Sequence, residues 1–252
     1  MSLIETVLPI RAGAVSLASV SADAYGWRET SNPGTAMDFA AARTKMVDNQ
    51  IRTTDVTSHE ILRAFLTVPR EMFVPAERQA LAYIDEDIPL GGGRYLMEPS
   101  PIAKLIQLAQ IGPQDVVLDV GCATGYSSAI LAHLAGSVVA LEENEALADQ
   151  ASDILARIGG LSCAVAKGPL KAGYAADAPY DVIIFQGSVE EIPSAFFEQL
   201  RDRGRLVVVE GKGLSADAKL YVKEDGVVSG RFAFNCGVKP LPGFEREKTF
   251  VF

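Results

Sequence analysis

Cysteine, histidine and tryptophan are all scarce in this chain: three, two and one respectively in 252 residues. The cysteines, Cys122, Cys163 and Cys236, form an odd set with no CxxC spacing, and His59 and His133 lie far apart. A disulfide scaffold and a Cys/His zinc site both lose support, and no metal is expected. A reducing compartment, the cytoplasm, fits that cysteine usage. No apolar run approaches the roughly 20 residues that span a bilayer. Basic charge is also short, with 23 Lys plus Arg against 32 Asp plus Glu and a net charge of −9. That balance argues against nucleic acid or an anionic membrane as partner and leaves small molecules or other proteins. What is present is a 48% hydrophobic composition, enough to bury a sizeable core and to exclude intrinsic disorder.

The first 36 residues stand apart. They are rich in Ala, Ser, Gly and Thr, show no sustained apolar period, and hold the lone tryptophan, Trp27. A secretory signal wants a basic start and an unbroken apolar stretch, whereas Glu5 comes first and Pro9 and Arg11 interrupt the run. The expectation is a loosely ordered head over 1–36, with Met37 as a second candidate start and one folded domain over 37–252.

From Met37 the text becomes regular. MDFAAARTKMVDNQI and SHEILRAFLTV carry apolar residues at helical spacing, the second with Ser58 as candidate N-cap. The stretch AYIDEDIPLGGGRYLMEPSP reads as a loop because of Gly91 to Gly93 and its prolines. PIAKLIQLAQIG is helical, with Pro101 in its first turn and Gly112 at its end. Strand and helix then alternate: DVVLDV, YSSAILAHLA, SVVAL, NEALADQASDILARIG, SCAVA, YDVIIF, EEIPSAFFEQL and GRLVVVE. The strands are nearly all apolar, as in a parallel sheet buried on both faces. AKLYVKE and GRFAFN follow with no helix between them. These patterns predict a doubly wound α/β sheet, preceded by N-terminal helices and ending in an antiparallel hairpin.

The chemistry concentrates in VVLDVGCATGYSSAILA, residues 116–132. A Gly-rich turn directly after a buried strand lets a ligand approach the backbone, and the following helix offers its first NH groups. The turn departs from the dinucleotide pattern G-x-G-x-x-G, since Ala123 and Tyr126 stand where the second and third glycines would be. Asp119 at the strand tip opposes a pyrophosphate and favours a cation. S-adenosylmethionine (SAM) has no phosphate and carries an ammonium and a sulfonium, so this loop fits SAM better than a dinucleotide. Glu142, at the tip of the next strand, stands where a carboxylate accepts hydrogen bonds from both ribose hydroxyls. Cys122 reads as a small loop filler, because no histidine lies near it in sequence to activate it. Arg94 and Lys167 could hold an anionic substrate, but surface charge is the commoner reading, since most Lys and Arg are simply solvated.

Over nearly all of residues 37–252 the sequence resembles the protein-L-isoaspartate O-methyltransferase family. The resemblance rests on KMVDNQI, LTVPREMFVP, AYIDEDIPLGGGRYLMEP, the loop VLDVGCATGYSSAILA, APYDVIIFQG and QLRDRGRLVVVEG. It implies a mostly parallel, seven-stranded SAM-methyltransferase sheet. It also implies methyl transfer from SAM to the abnormal carboxylate of isoaspartyl residues in a damaged protein or peptide, the first step of repair. The implied cofactor residues are Asp119, Gly121, Cys122, Ala123, Gly125, Glu142 and Gly168, and the loop residues Arg94, Tyr95 and Leu96 fall in the implied substrate pocket, whose mouth Gln186 could line from its place after the fourth strand. The family's loop usually reads GxGQTISQP with a serine in the active site, whereas here it is GGGRYLMEP, which puts Met97 at the catalytic position. Methionine cannot donate a hydrogen bond to a carboxylate. Where a GDG element is usual after the third strand, Gly168, Pro169 and Leu170 stand. These departures leave open a SAM-binding relative without catalysis, or a SAM methyltransferase with another acceptor.

Overall fold

The computed structural model describes residues 37–246; the reading of 1–36 lies outside them. Helix α1 (Phe39–Met46) starts where the Asp38 carboxylate accepts from the Ala41 amide at 3.0 Å. It runs on through wider and tighter turns over Val47–Ile51 and Arg52–Thr54. Helix α2 (His59–Thr67) is capped by Ser58, whose hydroxyl accepts from Ile61 N. Side-chain oxygens satisfy donors that a helix start leaves without partners, which is why both sequence signals work.

The glycine-rich stretch is more ordered than a loop. Strands β1 (Ile88–Gly91) and β2 (Arg94–Leu96) pair antiparallel around it. They are too short to show alternation in sequence, and Gly91, Gly92 and Gly93 all take positive φ to close the hairpin. Helix α3 (Pro99–Ala109) begins two residues before Pro101 and ends on Gln110 in the left-handed region rather than at Gly112.

The main sheet is built from β3 (Val116–Val120), β4 (Ser137–Glu142), β5 (Cys163–Lys167), β6 (Tyr180–Val189), β7 (Leu200–Glu210), β8 (Asp217–Glu224) and β9 (Val227–Asn235). Its order is β5-β4-β3-β6-β7-β8-β9. The first five strands are parallel, and β8 and β9 are antiparallel additions, as the hairpin expectation had it. Three helices connect the parallel strands: α4 (Tyr126–Ala132), α5 (Glu145–Ile158) and α6 (Ser194–Gln199), the last shorter than EEIPSAFFEQL suggested because Pro193 sets its start.

Successive residues of a strand point to opposite faces. Val117, Val182 and Val207 accordingly join a core with residues of α2, α3 and α4, whereas Leu118, Ile183 and Leu206 join another with Phe196 of α6, Leu241 and Phe244. Both faces are covered, so the parallel strands show no polar alternation. The carboxyl ends of β3, β4 and β6 are thereby brought to one edge, at the point where strand order reverses from β4 to β6 around β3, the usual ligand crevice of such sheets. No helix among the described residues is long and apolar enough to cross a membrane.

Candidate active site

The turn after β3 is fixed mainly by its own backbone. Gly121 N and Cys122 N both donate to Leu141 O, at 2.9 and 3.1 Å, and Gly125 N donates to Cys122 O at 2.8 Å. Gly121 has φ +78°, and a Cβ there would lie 2.7 Å from Leu241 Cδ1 and 2.9 Å from Arg94 Nη2. Glycine is required at this position for both dihedral and space. Gly125, at φ +92°, likewise needs glycine for its dihedral, and a Cβ on it would meet Ala151 and Leu155 of α5.

Glu142, at the end of β4, is fully buried. Its Oε2 accepts from Ala123 N at 2.8 Å, and its Oε1 accepts from Asn144 N at 3.0 Å and Glu143 N at 3.1 Å. The third group on Oε1 is Arg94 Nη1 at 2.7 Å, while Arg94 Nη2 donates to Gly121 O at 2.6 Å. Arg94 is 5% exposed, so the surface-charge reading fails for it: a buried carboxylate supplies the partner that lets a guanidinium be buried. The same reading holds for Lys167, which is exposed and pairs with Asp149.

Asp119 is also fully buried, and its side chain turns onto α4. Ser127 and Ser128 donate to Oδ2 at 2.7 and 2.6 Å, and Gln186 Nε2 donates to Oδ1 at 2.7 Å. Burial raises its pKa, against the pull of these hydrogen bonds. Both oxygens of Asp119 thus have partners, and Oδ1 fixes the orientation of the Gln186 amide. Burial also pushes the Cys122 thiol well above its ordinary value, with Asp119 and Glu142 adding to the shift, which agrees with a filler rather than a nucleophile.

Gln186 leads from Asp119 to a small cavity that it lines with Arg94, Tyr95, Met97, Asp87 and Lys239, about 10 Å³ in volume. Leu96, between Tyr95 and Met97, points away into the core with Ile88. Gly168 sits at the end of β5, its amide donating to Glu142 O at 3.2 Å, and Leu170 N donates to Glu143 Oε2 at 3.2 Å. Neither histidine enters the site: His59 opens α2 and His133 ends α4, both exposed. Among the described residues no group of three metal-ligating side chains occurs.

Three contributors were not legible in the sequence. Leu241 reaches Gly121 because Leu241 N donates to Ser188 O and Ser188 N to Lys239 O, which lays the C-terminal segment along the end of β6. Lys239 arrives by the same route and stands 5.7 Å from the Tyr95 ring. Arg70 is fully buried, donating from Nε to Ala82 O and from Nη2 to Met97 O, each at 2.7 Å, and so fixes the backbone that carries Met97. The only sequence signal for Arg70 was its place in VPREMFVP.

Residues 41–242 match the family described as protein-L-isoaspartate(D-aspartate) O-methyltransferase. The protein-L-isoaspartate O-methyltransferase of Koribacter versatilis is 35% identical over 205 residues, which cover 81% of this chain and 92% of that one. The enzyme of that name from Methanoregula boonei is 38% identical over 184 residues, 73% of this chain and 84% of the relative. Among solved structures, one named protein-L-isoaspartate O-methyltransferase superposes with a TM-score of 0.71 at 26% identity, covering 80% of this chain and 66% of the other. A Plasmodium falciparum structure, named as a beta-aspartate methyltransferase in complex with S-adenosyl-L-homocysteine, has a TM-score of 0.68 at 15% identity, covering 82% of this chain and 99% of the other, and supports the fold.

Proposed function

Because the chain belongs to the protein-L-isoaspartate(D-aspartate) O-methyltransferase family, we propose that it transfers a methyl group from SAM to the carboxylate of isoaspartyl residues in damaged proteins or peptides. Glu142 carries this reading. It is a fully buried carboxylate one strand over from a glycine turn with no room for a side chain, at the crevice edge of the sheet.

The residues present fit SAM. Gly121 presents bare backbone to the crevice, the space over it being shared by Arg94 and Leu241, and Glu142 would hold the ribose hydroxyls, taking over the acceptor that Arg94 now uses. Gly168 and Leu170 would border the adenine side. Asp119 supplies negative charge beside a cationic cofactor. When bound, SAM supplies an electrophilic methyl group on a sulfonium.

The acceptor carboxylate is ionised at neutral pH and is its own nucleophile, so no side chain has to remove a proton. The chain's task is to align one carboxylate oxygen with the methyl group and to exclude water. Gln186, its amide held by Asp119, lies with Met97 and Tyr95 on the acceptor side, and Lys239 supplies positive charge there. Met97 adds an apolar wall but no donor.

Incubation with an isoaspartyl peptide and methyl-labelled SAM is expected to give a base-labile labelled ester. No ester at any enzyme concentration would count against the proposal. Met97 also favours a second reading, in which the acceptor differs from an isoaspartyl carboxylate. On that reading Met97→Ser raises isoaspartyl esterification by about fivefold or more, the worth of one hydrogen bond; an unchanged rate removes it.

A further inference from the structure

Arg94 occupies the acceptors that the cofactor needs. Its guanidinium spans Glu142 Oε1 at 2.7 Å and Gly121 O at 2.6 Å. Its Nη2 lies 2.9 Å from where a Gly121 Cβ would be, in a space over the turn that it shares with Leu241 Cδ1 at 2.7 Å. The neighbouring cavity holds about 10 Å³, room for about one water, whereas small-molecule sites run to about 300 Å³ or more. A ribose diol and this guanidinium cannot both hold the same Oε1 at hydrogen-bond distance.

Arg94 stands beside the least packed part of its element. It lies on the β1–β2 hairpin, whose tip is three glycines. A Cβ would meet nothing at Gly91, and only Asn144 Nδ2 at 3.5 Å from Gly92 and Pro242 Cγ at 3.6 Å from Gly93. Such a tip is lightly packed, and glycine backbone adapts at low steric cost.

The geometry points to Arg94 as a latch on the cofactor site: its bidentate grip on Glu142 and Gly121 closes the crevice, and SAM enters by displacing it. This rests on the SAM reading above. Breaking two charge-assisted hydrogen bonds in a buried setting weakens cofactor binding, so removing the guanidinium strengthens it. The same removal leaves Glu142 buried without its cation, which destabilises the ligand-free protein.

The test is calorimetry of S-adenosyl-L-homocysteine binding to the full chain and to Arg94→Ala and Arg94→Gln, with thermal unfolding of each measured with and without that ligand. Gln keeps a polar side chain of similar length should Ala impair folding. Both variants are expected to bind at least about tenfold tighter than the unaltered chain, the worth of one such hydrogen bond. Without ligand they should melt lower, and the ligand should raise their melting temperature further than it raises that of the unaltered chain. A merely structural arginine would lower the melting temperature and the affinity together, and an arginine that anchors only the acceptor would leave affinity unchanged. Either result overturns the latch while the SAM reading stands. Absence of binding to the unaltered chain and to both variants overturns both.

Discussion

Replacing Gly121 by alanine isolates the physical demand made by the turn after β3. Two costs follow from the structure. The residue has φ +78°, and an alanine held in the left-handed region costs about 1–2 kcal/mol. The added methyl would also stand 2.7 Å from Leu241 Cδ1, and Leu241 is 1% exposed, so it has no solvent to retreat into. Overpacking of that kind costs about 1–3 kcal/mol. The stiffer unfolded chain returns about 0.4–1 kcal/mol, leaving a net loss of roughly 1–4.5 kcal/mol. Urea unfolding measures it as a fall in midpoint at constant slope. Leu241→Ala serves as the second arm of a double-mutant cycle: with the leucine shortened, Gly121→Ala should keep its backbone cost and its contact with Arg94 but lose the clash with Leu241, giving a coupling of about 1 kcal/mol or more. A loss below about 0.5 kcal/mol, or a cycle with no coupling, would refute the reasoning, because Leu241 and Gly121 would then not be in contact.

Asp119→Asn should change how stability depends on pH. Burial raises the carboxyl's pKa in the folded chain, so the folded state keeps a proton that the unfolded state has released. Stability then falls as pH rises from about 4, the unfolded value, towards the folded one, by at most about 1.4 kcal/mol per unit. The asparagine variant lacks that decline, and parallel curves for the two proteins in denaturant titrations between pH 4 and 7 would sink the assignment. Arg70→Met should cost about 2–4 kcal/mol in the same unfolding assay, because Ala82 O and Met97 O each lose a charged donor. Each carbonyl left alone costs about 1–3 kcal/mol, and relief of a buried cation offsets part of the sum. A loss under about 1 kcal/mol would mean that Arg70 does not hold the Met97 backbone.

The fold was largely legible because its parallel strands are short apolar runs separated by glycines and capped helices. Ser58 sits at the N-cap its sequence context implies, and Asn144 caps α5 at the start of the helical stretch. The misread parts are strands too short or too polar to show a period, and those whose order comes from distant chain. β1 and β2 are strands of four and three residues, too short for a period, and their pairing closes over glycines that signal a turn. β6 runs on to Val189 because the backbone of Lys239 and Leu241 pairs with Ser188, which no local signal around Gln186 announces. β7 starts at Leu200, and its exposed Arg201, Asp202 and Arg203 hide that start from an apolar pattern.

At the site the same division has a chemical consequence. Gly121 and Glu142 were legible because turn geometry and strand-tip position constrain them locally. Arg94 was not, since a guanidinium belongs at the surface unless a partner buries it, and its partner lies 48 residues away. That pairing also sets the sign of the crevice. With Arg94 on Glu142 the pair contributes little net charge; with the guanidinium withdrawn, Glu142 adds its charge to the field of Asp119 at the same strand ends. A cationic cofactor that displaces Arg94 thus uncovers part of the negative charge that attracts it, so the acidic residues favour the cofactor most once the latch has opened.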